Sequence, residues 1–414
     1  MSTVSAESVA PVSGGTKLPQ GWRWVRIGEI CEVSTGGTPA TGHPEFYGGN
    51  IPWLKSGDIK GTWIHEVPNR ISELGLTNSN ARLHPIGSVM LAMSGQGKTR
   101  GTSAILRVSS ACSQSVAAIL PSNEAIPEII HFALVSQYEN IRRLTGDNER
   151  TGLNLKLVRN IMFPLPSLDE QKRIAAILNE QMAAVERARA AAETQVEAAK
   201  ALPPTYLRAA FTSPEAQQWP TSRLGMLCDI QLGKMLSPAS RIGLRPRPYL
   251  RNANVQWGKF DLADIARMDF TEDQERKFAL RSGDLLVCEG GEPGRAAVWE
   301  GQIPSCLYQK AIHRLRPIGN AVDPHFVMYR LWMGALQQEF LESHAKTTIA
   351  HLPAVRLQRL PIRVPTVPEQ QRIAAMLSEH MASAERVGKA TEEELDAINK
   401  LPAALLRRAF NGAL

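Results

Sequence analysis

Pro166-Ser167-Leu168-Asp169-Glu170-Gln171-Lys172-Arg173-Ile174-Ala175-Ala176-Ile177-Leu178 is answered further along the chain by Pro365-Thr366-Val367-Pro368-Glu369-Gln370-Gln371-Arg372-Ile373-Ala374-Ala375-Met376-Leu377. The likeness continues without a gap to Leu202-Pro203, Leu207-Arg208 and Ala210-Phe211 in the first copy, and to Leu401-Pro402, Leu406-Arg407 and Ala409-Phe410 in the second. About 22 of 48 aligned positions are identical, at a period of about 199 residues. A period that long marks a duplicated half rather than a solenoid.

Both copies carry apolar or small residues every three to four positions: Ile174, Leu178, Met182, Val185, Ala192 and Val196, then Ile373, Leu377, Met381, Ala384, Leu395 and Ile398. That spacing predicts long helices of about 30 residues, on the order of 45 Å each. Glu186 with Arg189 and Glu385 with Lys389 stand at partner spacing on the solvated flanks. Proline lacks the next backbone donor, so Leu202-Pro203 and Leu401-Pro402 are expected to stop each helix, with a short second helix after each. Such stripes are unstable alone and should pack on one another, antiparallel if the halves are related by a pseudo-twofold axis. Ile174, Leu178, Met182, Val185 and Phe211, with Ile373, Leu377, Met381, Leu395 and Phe410, are the expected helix-pairing and partner-docking residues.

The segments between the copies read as β structure, short apolar runs broken by Gly, Pro, Asn and Ser. They echo each other weakly: Ile27–Val33 with Gly36 against Leu224–Ile230 with Gly233, Ile51–Lys55 against Arg247–Arg251, and Gly87–Leu91 against Gly283–Val287. The expected fold class is α+β, with two β-rich globular domains joined by two long antiparallel helices in a pseudo-twofold duplication. The boundaries expected are a disordered tail over 1–17, domains over 18–160 and 212–360, and helical regions over 161–211 and 361–414.

The chain has 414 residues, 43% of them hydrophobic, enough for two domains, and no run approaches a membrane span. Residues 1–17 lack the charged start and apolar core of a signal peptide. Five cysteines with no C-x-x-C pair suggest neither a disulfide framework nor a zinc site, which fits a reducing cytoplasm; Cys31 and Cys228 hold matching places and read as small buried hydrophobes. The net charge of +7 lies outside the repeats, with 15 basic against 12 acidic residues in 1–160 and 19 against 15 in 212–360. A phosphate-binding surface needs such a balance, although solubility alone would also account for it.

Ala92–Thr99 nearly spells a phosphate-binding loop. A true one opens a helix whose amides face the phosphates, whereas Gly101–Val108 reads as a further strand, and the matching Cys288–Arg295 keeps the glycines without Lys-Thr. The segment is therefore expected to be a strand-to-strand turn, and a nucleotide hydrolase built on Lys98 is disfavoured. No metal-ligand histidine spacing, G-x-S-x-G element or methyltransferase motif appears. If the domains bind DNA, the candidate contacts are Lys55, Ser56, Lys60, Gln96, Lys98, Thr99 and Arg100 in the first half. In the second they are Arg241, Arg245, Arg247, Tyr249, Arg251, Asn252, Asn254 and Arg295.

The whole arrangement resembles the DNA-specificity subunit of type I restriction-modification systems. The resemblance covers nearly the full chain and rests on the duplicated Pro-x-x-x-Glu-Gln-x-x-Ile-Ala-x-x-Leu segments, preceded by Thr151–Leu155 in one half and Thr347–Leu352 in the other. It implies two target-recognition domains, each reading one part of a split, asymmetric double-stranded DNA sequence, with paired helices setting the gap. It further implies two docked methyltransferase subunits, with two motor-nuclease subunits in a restricting system. S-adenosylmethionine, ATP and magnesium would belong to those partners, leaving this chain catalytically silent. The alternative from another class is a duplicated helical scaffold that organises partner proteins without reading DNA.

Overall fold

The computed structural model describes residues 18–95, 97–144, 152–241, 243–340 and 351–414. The tail expected over 1–17, Gln96, Thr151 and residues 347–350 of the second-half motif lie outside the described residues. The chain divides into two compact units, residues 1–191 with 395–414 and residues 192–394.

In the first unit, Arg23–Arg26 pairs antiparallel with Met162–Leu165, closing the domain where chain enters and leaves it. A five-stranded sheet runs Val33–Thr35, Val116–Ile119, Val89–Ala92, Ser103–Leu106, Trp63–Ile64, and a four-stranded one Arg70–Ile71, Tyr47–Leu54, Ser110–Cys112, Leu83–His84. Val89–Ala92, Ser103–Leu106 and Val116–Ile119 are buried along their whole length, so they read as continuous apolar runs without alternation. The helix Pro127–Ser136 buries Ile129, Ile130, Phe132, Ala133 and Leu134 in the core with Val89, Leu91 and Ile105.

The second unit repeats this plan. Thr221–Arg223 pairs with Pro361–Arg363, a four-stranded sheet runs Cys228–Leu232, Ile312–Pro317, Asp284–Cys288, Ala296–Trp299, and a three-stranded one runs Ala266–Asp269, Pro246–Leu250, Leu307–Tyr308. Pro324–Leu336 is the counterpart helix. The echoes at Ile51–Lys55 and Gly87–Leu91 fall with their counterparts on equivalent strands, whereas Ile27–Ile30 and Leu224–Leu227 are equivalent short helices, which corrects the β reading there. Cys31 and Cys228 are buried, as are the other three cysteines, and all five are free; burial pushes the Cys228 thiol up to about 12.

The repeats are long helices, Leu168–Lys200 and Val367–Phe410, about 50 and 66 Å at the helical rise. Ile174, Leu178, Val185, Ala192 and Val196 are buried, as are Ile373, Leu377 and Ala384. The proline stop holds only in the first copy. There a turn at Ala201 precedes a separate helix, Leu202–Phe211, with Pro203 and Pro204 in its first turn, where missing donors cost nothing. In the second copy Pro402 is followed by Ala403, and the helix runs straight through it to Phe410. One proline removes one backbone bond, and the surrounding turns carry the helix past it.

Each globular core also takes in the end of the other repeat. Leu406 and Ala409 share a core with Ile174, Ala175 and Leu178 in the first unit, and Leu207 shares one with Ile373, Ala374 and Leu377 in the second. Tyr206 lies on His380, with ring centroids 4.5 Å apart, while Lys200 feels the charge of Glu392, so the helices of the second unit run antiparallel. Ile174, Leu178, Ile373 and Leu377 are therefore spent on the chain's own cores, which corrects the expectation that they also dock a partner. Met182, Phe211, Met381, Leu395 and Phe410 are half-buried. No helix of the described residues is long and apolar enough to cross a membrane.

Candidate nucleic-acid interface

In the first unit a cleft of about 410 Å³ opens beside the end of Tyr47–Leu54, lined by Thr38, Thr41, Tyr47, Trp53, Lys55, Ser56, Ser113, Gln114 and Ser115. Its walls are fixed by bonds that leave the polar tips at the surface. Trp53 Nε1 donates to the Gly37 carbonyl at 3.0 Å, the Tyr47 hydroxyl donates to the Pro39 carbonyl at 2.5 Å, and the Thr38 hydroxyl donates to Gln114 Oε1. The Lys55 ammonium stands 5.1 Å from the Trp53 ring centroid, and its backbone N–H donates to Asp58 at 2.9 Å. The loop passes so close to the Ser110–Cys112 strand that a Cβ at Gly36 would lie 1.7 Å from the Cys112 carbonyl oxygen; only glycine fits.

The second unit places the same frame around different side chains. Gly233 repeats the close approach, with a Cβ falling 2.3 Å from the Gln309 carbonyl oxygen. Strand pairing aligns Tyr249 with Trp53 and Leu250 with Leu54, so Arg251 and Asn252 stand where Lys55 and Ser56 do, and Gln309 and Lys310 stand where Ser113 and Gln114 do. Beside them a cleft of about 600 Å³ is lined by Lys234, Met235, Leu244, Arg245, Phe270, Lys277 and others. Met235 and Leu244 are 63% and 80% exposed. Asp269 holds the rim by accepting the N–H groups of Gly243, Leu244 and Arg245 at 2.7, 2.9 and 2.8 Å.

The other expected contact residues divide by burial and pairing. Lys60 and Lys98 are exposed, and Lys98 and Thr99 sit in the turn between the antiparallel strands Val89–Ala92 and Ser103–Leu106. That turn is a hairpin, as expected, and opens no helix. Gln96 lies outside the described residues, as does the side chain of Arg241. Arg100 is 6% exposed and ties the turn to Arg142, donating to its carbonyl at 3.3 Å and accepting from its guanidinium at 3.0 Å. Tyr249 and Asn254 are buried too, Asn254 bonding Arg251, Asp261 and Asp264. For these three, burial replaces the expected DNA contact with a structural role.

The arginine-rich cluster is largely matched by carboxylates. Arg245 pairs with Glu272 at 2.9 Å, Arg247 with Glu275 at 3.0 Å, Arg251 with Asp264 at 2.6 Å and Arg295 with Glu292 at 3.2 Å. Arg247 holds the Glu275 carboxyl below its ordinary range. Asn252 Nδ2 donates to the Gly290 carbonyl at 2.7 Å, Arg295 donates to the Asn252 carbonyl at 3.0 Å, and Asn252 Oδ1 is buried without a partner. An exposed pair such as Arg245–Glu272 contributes roughly 0–1 kcal/mol, so a phosphate can exchange for the carboxylate there at little cost. Thr38, Thr41, Gln114, Lys234, Gln309 and Lys310 were missed from sequence; counting forward from the aligned Gly36 and Gly233 would have found Thr38 and Lys234, but not that Thr38 faces the same cleft as Lys55 and Gln114.

A β frame used twice, each time with a cleft lined by different side chains, defines a duplicated recognition protein. A family model of the type I restriction modification DNA specificity domain matches residues 19–193 and again 216–396. The chain belongs to that family. It is similar to the specificity subunit of type I restriction enzyme MjaIX from Methanocaldococcus jannaschii, 26% identical over 168 residues, which cover 39% of this chain and 38% of that protein's length. It is also similar to the EcoKI specificity subunit of Escherichia coli strain K12, 22% identical over 423 residues, covering 96% of this chain and 90% of that one. The crystal structure of the HsdS subunit from Thermoanaerobacter tengcongensis has the same fold, with a TM-score of 0.65 at 23% identity over 97% of this chain and 99% of that chain.

Proposed function

We propose that this chain gives a type I restriction-modification complex its sequence specificity and performs no chemistry itself. Each domain reads one part of a split, asymmetric duplex, phosphate contacts positioning it and a few side chains reading base edges. The long helices fix the gap and present surface to two methyltransferase subunits, which two motor-nuclease subunits join in a restricting system. S-adenosylmethionine, ATP and magnesium are assigned to those subunits, and the complex to the cytoplasm. The observation that carries this reading is the one frame with two sets of side chains: Lys55, Ser56, Ser113 and Gln114 in one half, Arg251, Asn252, Gln309 and Lys310 at the same register positions in the other. Coupling two weak readings through a rigid connector multiplies their selectivity.

The test is duplex binding by the chain assembled with its methyltransferase subunits, across a salt series, together with mapping of methylated bases in the host genome. Affinity should fall linearly with salt on logarithmic axes, as counterion release requires, and one two-part motif should emerge. Salt-independent, sequence-blind association would instead favour the scaffold and overturn this reading.

A further inference from the structure

We infer that Gln171 and Gln370 are positioning residues, each a clasp that locks a reading domain to its long helix at one orientation and thereby limits the recognised gap to a single length. The gap rests on the specificity reading above; the clasp rests on geometry. The two glutamines occupy the same place in the duplicated segment and are 0% and 1% exposed. Gln171 Oε1 accepts the Ile126 N–H at 3.0 Å, while its Nε2 donates to the carbonyls of Glu124 at 2.8 Å and Pro166 at 3.0 Å. Gln370 Oε1 accepts the Asp323 N–H at 2.9 Å, and its Nε2 donates to the Pro365 carbonyl at 2.9 Å.

Ile126 and Asp323 are the N-cap residues of the domain helices Pro127–Ser136 and Pro324–Leu336. In a capping box the acceptor for the N-cap N–H comes from the third residue of the same helix. Here those residues are Ile129 and Phe326, both buried in the cores, and the acceptor arrives from the long helix instead. The bond to the N-cap N–H thus crosses between two helices in both halves, and in the second it completes a box with the Asp323 side chain, which accepts the Phe326 N–H at 2.9 Å, so its geometry fixes one helix against the other. An apolar contact would tolerate sliding; a buried amide with a donor and an acceptor committed on both sides does not. Neighbouring Glu170 and Glu369 are spent on surface pairs with Arg173 and Arg372, each at 2.7 Å, which leaves the glutamine as the polar link of the motif to the domain.

Lever length gives the clasp its consequence. Along a helix of about 50 Å, a tilt on the order of 4° moves the far end by about 3.4 Å, one base-pair step. A domain free to rock by that angle would accept neighbouring gap lengths.

The test measures initial methylation rates by the full chain in complex with its methyltransferase subunits, on duplexes carrying the mapped half-sequences at the natural gap and at gaps one base pair longer and shorter. If the wild-type complex prefers no two-part duplex, the specificity reading falls, whatever the clasp does. Given that preference, Gln171→Leu and Gln370→Leu should each reduce discrimination against the wrong gap by about tenfold, the scale of one net hydrogen bond, with both half-sequences unchanged. A fall in all rates together, with the ratio of natural to wrong gap kept, marks a merely structural role and overturns the proposal. Gln171→Glu and Gln370→Glu keep the acceptor and lose the donors, so they should fall between; should the leucine variants not fold, wild-type discrimination in both glutamate variants overturns it equally.

Discussion

His131 meets Ser103 in the core of the first unit, its Nδ1 3.1 Å from the hydroxyl, and burial pulls the imidazole down to about 4. His84 and His313 are shifted down by burial as well. A histidine whose folded pKa lies below its unfolded value stays neutral in the core while the unfolded chain takes up a proton, so stability is full above about pH 6.5 and lost as pH falls toward 4. His131 alone should contribute at most about 3 kcal/mol to that loss. Thermal unfolding between pH 7 and pH 4 measures it, and His131→Gln, which cannot titrate, should show a shallower decline; an equal decline would place the acid sensitivity elsewhere. The same scale separates two kinds of cation. Lys55 rides on Trp53 at the surface, whereas Arg100 is buried in the base of its own turn, so similar residues in one basic region have different work.

At the scale of elements, the two long helices differ in how they end. Pro203-Pro204 interrupts one, while the lone Pro402 lies inside the other, because two consecutive missing donors cannot be bridged by a turn that accommodates one. Their burial stripe returns every three to four residues, so insertions can be chosen to keep it. Four residues added after Ala190 and four after Lys389, aligned positions of the duplication, lengthen each helix by about 6 Å and nearly preserve the buried face. The recognised gap should lengthen by about one or two base pairs with both half-sequences unchanged. Two-residue insertions rotate the stripe by about 200° and should abolish assembly. Methylation-site mapping of the four-residue variant decides it; an active complex with the original gap would show that these helices do not set the distance.

For the molecule as a whole, duplication means that each half carries its own closed frame. Thr221–Arg223 and Pro361–Arg363 pair at the neck of the second domain, and everything that lines the cleft beside Lys234 and Leu244 lies between them. Replacing residues 224–360 by the corresponding stretch of another family member, with both neck strands retained, should therefore change one half of the recognised sequence and leave the other half and the gap intact. A variant with both halves changed would show that the domains do not read independently.

The sequence by itself determined the duplication, the two long helices with their buried faces, the burial of Cys31 and Cys228, and the hairpin in place of a nucleotide loop. All of these are set by local pattern: side-chain period, glycine and proline placement, or the identity of one short turn. What only the tertiary structure decided depends on residues far apart in the chain. It matched the arginines of the second half with Glu272, Glu275, Asp264 and Glu292, and withdrew Arg100, Tyr249 and Asn254 from the surface. It also gathered Thr38, Lys55 and Gln114 into one cleft, put Leu406 into the first core and Leu207 into the second, and gave the glutamine of the repeated motif its partners at Ile126 and Asp323. Periodicity tells which face of a helix is buried, but the partner of a charge or an amide is chosen by which strand or helix folding brings alongside it.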